Sequence, residues 1–232
     1  MEGLISSSVQ AMHLLFSGDP ALWKIVAISF SVSLRAILVA APAALLLSFL
    51  LAYVHFPGRR ALVSAFQTLQ AMPAVVVGLL VYMMLTRNGP FGDLKLLFTQ
   101  TAMVIGQAVL AFPLLVALGH AAVQTADRRA WETARTLGAS FWRATLTLMY
   151  EVRFALLATV IAAFARIISE VGTSIVVGGN ILNYTRNIPT AVALETSKGE
   201  YAQGIALGFV LVMLALFLNF SLSMVQGKGK IA

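Results

Sequence analysis

Long apolar runs broken by brief charged interruptions set the pattern of this chain. Four stretches contain no Asp, Glu, Lys or Arg: Ala36 to Gly58 (23 residues), Ala61 to Thr86 (26), Leu96 to Ala126 (31) and Tyr201 to Gly227 (27). About 20 apolar residues in helical conformation cross the hydrocarbon core of a bilayer, so each run predicts a membrane-spanning helix. A fifth segment, Thr145 to Ile168, has 12 uncharged residues between Arg153 and Arg166 and apolar turns on both flanks. The expected spans are about 25–54, 62–86, 101–125, 145–169 and 201–225, within one membrane domain over residues 23–226 followed by a short tail, 227–232. Pro73 and Pro113 fall mid-span, where each removes a backbone donor and kinks its helix. The connection from Glu170 to Glu200 is long. Its VGGN sequence and its Ile188-Pro189 pair predict non-helical backbone, which near membrane depth is tolerated only in contact with protein or a water-filled cavity.

The first 22 residues read differently. No Lys or Arg precedes the apolar part of LISSSVQAMHLLF, and Gln10 and His13 interrupt it, so it fits neither a signal peptide nor a span. An amphipathic helix lying in the membrane interface is the expectation for 1–22.

Composition supports the membrane reading, because 59% of residues are hydrophobic and 11% charged, against roughly 25% charged in soluble domains. The net charge of +7 is scattered between apolar runs and forms no nucleic-acid stripe. It does set an orientation. Arg59, Arg60, Arg128, Arg129, Arg135, Arg143, Lys228 and Lys230 fall on one side of the five-span scheme, and Arg87, Lys95, Arg186 and Lys198 on the other. The richer side is cytoplasmic by the positive-inside rule, which puts the C-terminus inside and the N-terminus outside. A multi-pass position in a membrane is the expected location.

Candidate chemistry is sparse. The chain has no cysteine, its three histidines lie in different segments, and neither a metal-ligand spacing nor a GxxxxGK[ST] phosphate loop occurs. No catalytic residue and no metal site is expected. Polar groups inside the predicted spans must face partner helices or a cavity; Gln67, Gln70 and Gln107 read as interhelical hydrogen-bond formers. Arg166 and Glu170, four residues apart on one helix face, form either a structural ion pair or a gate. The loop after the third span, Asp127 to Ala139, predicts a short helix capped by Asp127 and closed by Gly138 in a left-handed conformation. Ala130 and Ala134 give that helix a small-residue face for close approach by a partner.

Glu132-Thr133-Ala134, with glycine at 138 and Leu148 ten residues beyond it, resembles the EAA loop of binding-protein-dependent ABC transporter permeases. Thr133 stands where alanine is usual, and Tyr150-Glu151 replaces the trailing Leu-Pro. Ser169-Glu170-Val171-Gly172-Thr173-Ser174, Val177-Gly178-Gly179-Asn180-Ile181, Thr185-Arg186 and Ala193 to Gly199 look like the tungstate subgroup, as do Met72 to Gly78 and Gly106-Gln107. The resemblance implies an all-α polytopic membrane protein with the type I ABC importer permease core and a coupling helix. That helix would seat Ala130, Glu132, Thr133, Ala134, Leu137 and Gly138 on a separate ATPase. It also implies two copies of this chain, two ATP-binding cassette subunits using ATP and Mg, an extracytoplasmic oxyanion-binding protein, and no cofactor on this chain. A tetrahedral dianion can be held by hydroxyl, amide and guanidinium donors, so the candidate pathway or gate comprises Arg166, Ser169, Glu170, Thr173, Ser174, Asn180 and Arg186. The competing readings are a permease for molybdate or another oxyanion and an energy-independent carrier or channel; for a proton-coupled carrier the chain offers one possible ionisable pair and no internal repeat.

Overall fold

The computed structural model describes residues 13, 16–125 and 128–228. Those residues form ten α-helices: α1 (Pro20–Tyr53), α2 (Arg59–Leu69), α3 (Ala74–Leu85), α4 (Gln100–Gln124), α5 (Arg128–Thr136), α6 (Phe141–Glu151), α7 (Arg153–Ile168), α8 (Gly172–Gly178), α9 (Ile188–Lys198) and α10 (Tyr201–Lys228). No strand occurs among the described residues. The N-terminal segment expected to lie in the interface falls largely outside them, as does Asp127.

The start of α1 is written in the sequence. Asp19 accepts from the Ala21 N–H at 2.7 Å, and Pro20 occupies the first turn, where its missing donor costs nothing. The 34 residues of α1 extend about 51 Å at 1.5 Å per residue, well beyond a ~30 Å hydrocarbon core. α1, α4 and α10 are each long and apolar enough to cross a membrane, and two bent helix pairs raise the number of spans to as many as five.

The first bent pair corrects the expected continuous helix over 62–86. α2 and α3 meet at 101°. Proline at 73 disfavours helical backbone at Met72 and cannot donate to the preceding turn, so α2 ends there. α2 buries no residue in the chain, and Gln67 and Gln70 are exposed rather than bonded between helices. The second pair, α7 and α8, bends by 60° after Ile168, and Val152 separates α6 from α7 within the segment expected as one span over 145–169.

The connection over 170–200 is also mostly helical, against expectation. Ile188-Pro189 opens α9 rather than breaking it: Pro189 lies in the first turn, and Asn187 and Thr190 cap it reciprocally. The longest irregular stretch is the turn between α8 and α9, with Asn180 and Asn183 at positive φ.

Small residues draw α1, α4 and α7 together in the main core, where Ala36, Ala40, Ala44, Ala111 and Ala163 are buried. Ser48 donates to the carbonyls of Ala44 (2.8 Å) and Val116 (3.1 Å), and a Cβ on Gly119 would stand 2.5 Å from Ser48 Oγ. Close backbone approach with a shared hydroxyl is the packing mode of helices in lipid, where burying apolar area against apolar solvent gains little. α10 is the least buried of the three long helices and exposes Phe209, Val212, Met213, Leu216, Phe217 and Phe220.

Candidate coupling and translocation sites

Two regions at opposite ends of α1 contain the sequence-predicted site residues. At the end where α1 finishes, α5 forms a nine-residue helix closed as expected. Gly138 has φ +87°, Ala139 N–H donates to Ala134 O at 3.0 Å and Leu137 N–H to Thr133 O at 3.0 Å. The six-to-one bond from Ala139 marks a Schellman-type end, which glycine reaches without steric cost.

The outward face of α5 differs from expectation. Ala134 is half-buried on the same side as Trp131, three residues earlier, and Ala130's side chain lies outside the described set. Glu132, Thr133, Leu137 and Gly138 face away from the chain, with Leu137 82% exposed. An exposed leucine at the tip of a polar helix is suited to an apolar pocket on another protein.

At the other end stand α8, α9 and the turn between them. Arg166 and Glu170 form a salt bridge with the arginine side chain 51% exposed, and Glu170 Oε1 also accepts from Gly172 N–H at 3.2 Å. The hydroxyls expected to meet an oxyanion are committed within the chain. Ser169 donates to Arg166 O (3.1 Å) and Ala165 O (3.2 Å) of its own helix, and Thr173 donates to Ala74 O at 2.8 Å. Buried Ser174 Oγ accepts from Asn187 Nδ2 at 3.1 Å and from Gln107 Nε2 at 3.5 Å, so Gln107 does bond between helices. Thr173 and Ser174 therefore fasten α8 to α3, α4 and α9.

Asn180 and Arg186 sit together in the turn. Asn180 Nδ2 donates to Thr190 O at 3.3 Å, and Arg186 lies 3.9 Å from Glu195. Asn180 Oδ1 and Arg186 Nε are buried without a hydrogen-bond partner among the described residues. Glu195 is 3% exposed and also pairs with Lys198 at 3.3 Å. In this conformation Arg166 is paired with Glu170 and Arg186 lies near Glu195, so among the described residues the candidate donors form no preformed oxyanion cage.

Sequence reasoning missed several of these partners. Arg35 of α1 donates to Gln100 Oε1 at 2.6 Å, whose amide donates to Tyr184 O at 2.8 Å; this ties the first span to the turn. Ser29 accepts from Ile188 N–H at 2.7 Å. A serine inside an apolar run carries no local signal for a partner 159 residues away. Asn187 was legible as a helix cap before Pro189.

The family model described as "Binding-protein-dependent transport system inner membrane component" matches residues 44–227. The tungstate uptake system permease protein TupB of Campylobacter jejuni is 37% identical over 91% of this chain and 88% of its own. TupB of Peptoclostridium acidaminophilum is 36% identical over 94% and 96%. The molybdenum transport system permease protein ModB of Escherichia coli K12 is 33% identical over 87% and 93%. Among solved structures, the inward-facing MetNI methionine ABC transporter aligns with a TM-score of 0.67 at 16% identity, covering 93% of this chain and 96% of its own. A bacterial alginate ABC transporter in complex with a pentasaccharide-bound periplasmic protein aligns with a TM-score of 0.67 at 18% identity, covering 94% and 86%. These structures share the fold.

Proposed function

Because the chain belongs to the family of binding-protein-dependent transport system inner membrane components, we propose that it is the membrane-spanning subunit of an ATP-driven importer whose cargo is tungstate. The observation that carries the cargo assignment is the near-full-length similarity to two tungstate permeases, at 37% and 36% identity, above the 33% of the E. coli molybdenum permease.

The geometry supports a division of labour. Ser169 and Thr173 spend their donors within the chain, Arg166 is paired with Glu170, and Arg186 is buried beside Glu195, so selection of the ion belongs to a delivery protein, and this subunit supplies a pathway that opens and closes. Tungstate and molybdate are nearly equal in size and charge, which makes weak discrimination here physically reasonable. α5 is the coupling helix: Leu137 and Glu132 face an ATPase subunit, which binds the ATP and Mg, and Gly138 fixes the helix end. The EAA-like loop lies on the cytoplasmic side and the α8–α9 turn outside, following the distribution of Lys and Arg.

Two copies form the pathway. One chain exposes Val75, Val76, Leu79, Leu80, Met83 and Met84 along α3 and carries a half-exposed Arg166 side chain in the last turn of α7, and a charged group on a membrane-spanning segment needs protein or water beside it. A two-fold arrangement of α3 and α7 supplies that environment. The test is to purify the chain with its ATPase and measure which oxyanion-loaded binding protein stimulates hydrolysis. Stimulation by the tungstate-loaded protein supports the reading; stimulation by a molybdate-loaded protein alone would reassign the cargo.

A further inference from the structure

We infer that Trp131 is a positioning residue that joins the coupling helix to the first span, so that displacement of α5 is transmitted into α1 through a closed ring of four aromatic side chains. The inference rests on the transport reading above.

The ring is complete. Trp131 lies 5.5 Å from Tyr53, the last residue of α1, and Tyr53 stacks on Phe49 at 5.0 Å with the planes 12° apart. Phe49 meets Phe141, the first residue of α6, edge-on at 6.1 Å, and Phe141 returns to Trp131 edge-on at 6.4 Å. The Arg135 guanidinium lies 5.9 Å from the Trp131 ring centroid, within reach of a cation–π contact. Three elements are thus joined by rings with few internal rotations, stacked at Tyr53–Phe49, edge-on at Phe49–Phe141 and Phe141–Trp131, and tilted by 43° at Trp131–Tyr53.

Among the described residues of α5, Trp131 packs on this cluster, which continues through fully buried Phe49 to Val123 of α4, Leu148 of α6 and Leu156 of α7. Glu132, Thr133, Arg135 and Thr136 around it are exposed. α5 therefore has one face turned to its surroundings and, on the other, a large anchor. Cores of native density resist deformation, so a load on α5 must move Tyr53 with Trp131 or open the ring.

α1 then leads to the opposite end of the molecule. Leu22, Ile25 and Val26 pack with Ile188 and Ala191 of α9, and Ser29 accepts from Ile188 N–H at 2.7 Å. One continuous helix, with Pro42 in its interior, thus links the aromatic ring beneath the coupling helix to the α8–α9 region. Spatial continuity alone does not establish coupling; a pairwise energetic test does.

The experiment uses the full complex of permease, ATPase and binding protein in lipid, with Trp131→Ala, Trp131→Phe, Tyr53→Ala and the Trp131→Ala/Tyr53→Ala double variant. ATPase retention, basal hydrolysis and hydrolysis stimulated by tungstate-loaded binding protein are measured for each. Trp131→Ala and Tyr53→Ala should keep the ATPase bound and hydrolysing at the basal rate, yet lose stimulation. Trp131→Phe should retain it, and the double variant should be no worse than either single one. Unchanged stimulation in Trp131→Ala, or losses that add in the double variant, would overturn the joint while leaving the transport reading intact. Loss of the ATPase from Trp131→Ala would make Trp131 a docking element and also refute it. Absence of stimulation in the wild-type complex would remove the transport reading and the joint with it.

Discussion

Gly78 and Thr173 meet backbone to backbone: a Cβ on the glycine would stand 2.9 Å from the Thr173 Cα. Thr173 Oγ1 donates to Ala74 O one turn away at 2.8 Å, and a Cβ on Gly172 would stand 2.7 Å from Val75 Cγ2. The two bent pairs, α2/α3 and α7/α8, are thus fastened to each other where each resumes after its break. That contact admits no added methyl without backbone movement.

Gly78→Ala should accordingly destabilise the detergent-solubilised protein by about 1–3 kcal/mol, the usual range for overpacking. Gly208→Ala in α10, where nothing lies within 4 Å of the new Cβ, should be neutral or stabilise by up to ~1 kcal/mol through helix propensity. Thermal unfolding of the two variants checks the pair. Equal melting temperatures would contradict the close α3–α8 contact.

Ser29→Ala should leave the buried Ile188 N–H, in the first turn of α9, without its acceptor. An unsatisfied buried amide costs about 1–3 kcal/mol, and the loss falls on α9 rather than on the distant α5. Hydrogen exchange at the start of α9 should accelerate while exchange over α4 is unchanged. Protection of α9 equal to wild type would show that the Ser29 bond is dispensable.

At Gly138 the demand is conformational, since φ is +87° and a Cβ meets nothing within 4 Å. Gly138→Val should therefore strain the end of α5 by about 1 kcal/mol or more, whereas Gly138→Asn, which tolerates the left-handed region, should be mild. The valine variant should insert normally but lose stimulated hydrolysis, and Leu137→Asp should release the ATPase with the melting temperature unchanged. Co-purification and hydrolysis assays on the three variants decide this; full coupling in both Gly138→Val and Leu137→Asp would reduce the loop to a tether.

The charge distribution makes a topological prediction. Reporter fusions after Arg60, after Arg135 and at the C-terminus should report cytoplasm, and one near Asn183 the outside. A cytoplasmic signal at 183 would invalidate the orientation.

The helical class was legible from run lengths, because apolar periodicity and charge spacing are local properties, and so was the left-handed Gly138. The break at Pro73 was less so. The uncharged run from Ala61 to Thr86 is long enough for a span, yet Ser64 and Gln67 in α2, with Gln70 at its C-cap, distribute polarity as a surface helix does. Ile188-Pro189 was misread because proline signals both a helix breaker and a first-turn residue, and the preceding Asn187 cap distinguishes the two. Hydroxyls at 169, 173 and 174 looked available for an anion because sequence shows a hydroxyl but not its partner. Ser169 bonds within its own helix, whereas Ala74, which accepts from Thr173, and Asn187 and Gln107, which donate to Ser174, come within reach only through the fold. Trp131, a lone aromatic in a polar loop, gave no hint that Tyr53 of α1 and Phe141 of α6 would pack on it.

The central claim is that this chain carries an oxyanion across a membrane only when an ATPase drives it and a binding protein delivers the cargo. Proteoliposomes containing the permease and its ATPase, with ATP inside and tungstate-loaded binding protein outside, test it directly through accumulated tungstate. The account predicts accumulation that requires ATP, ATPase and binding protein together. Equal uptake by the permease alone, or uptake indifferent to ATP, would contradict it.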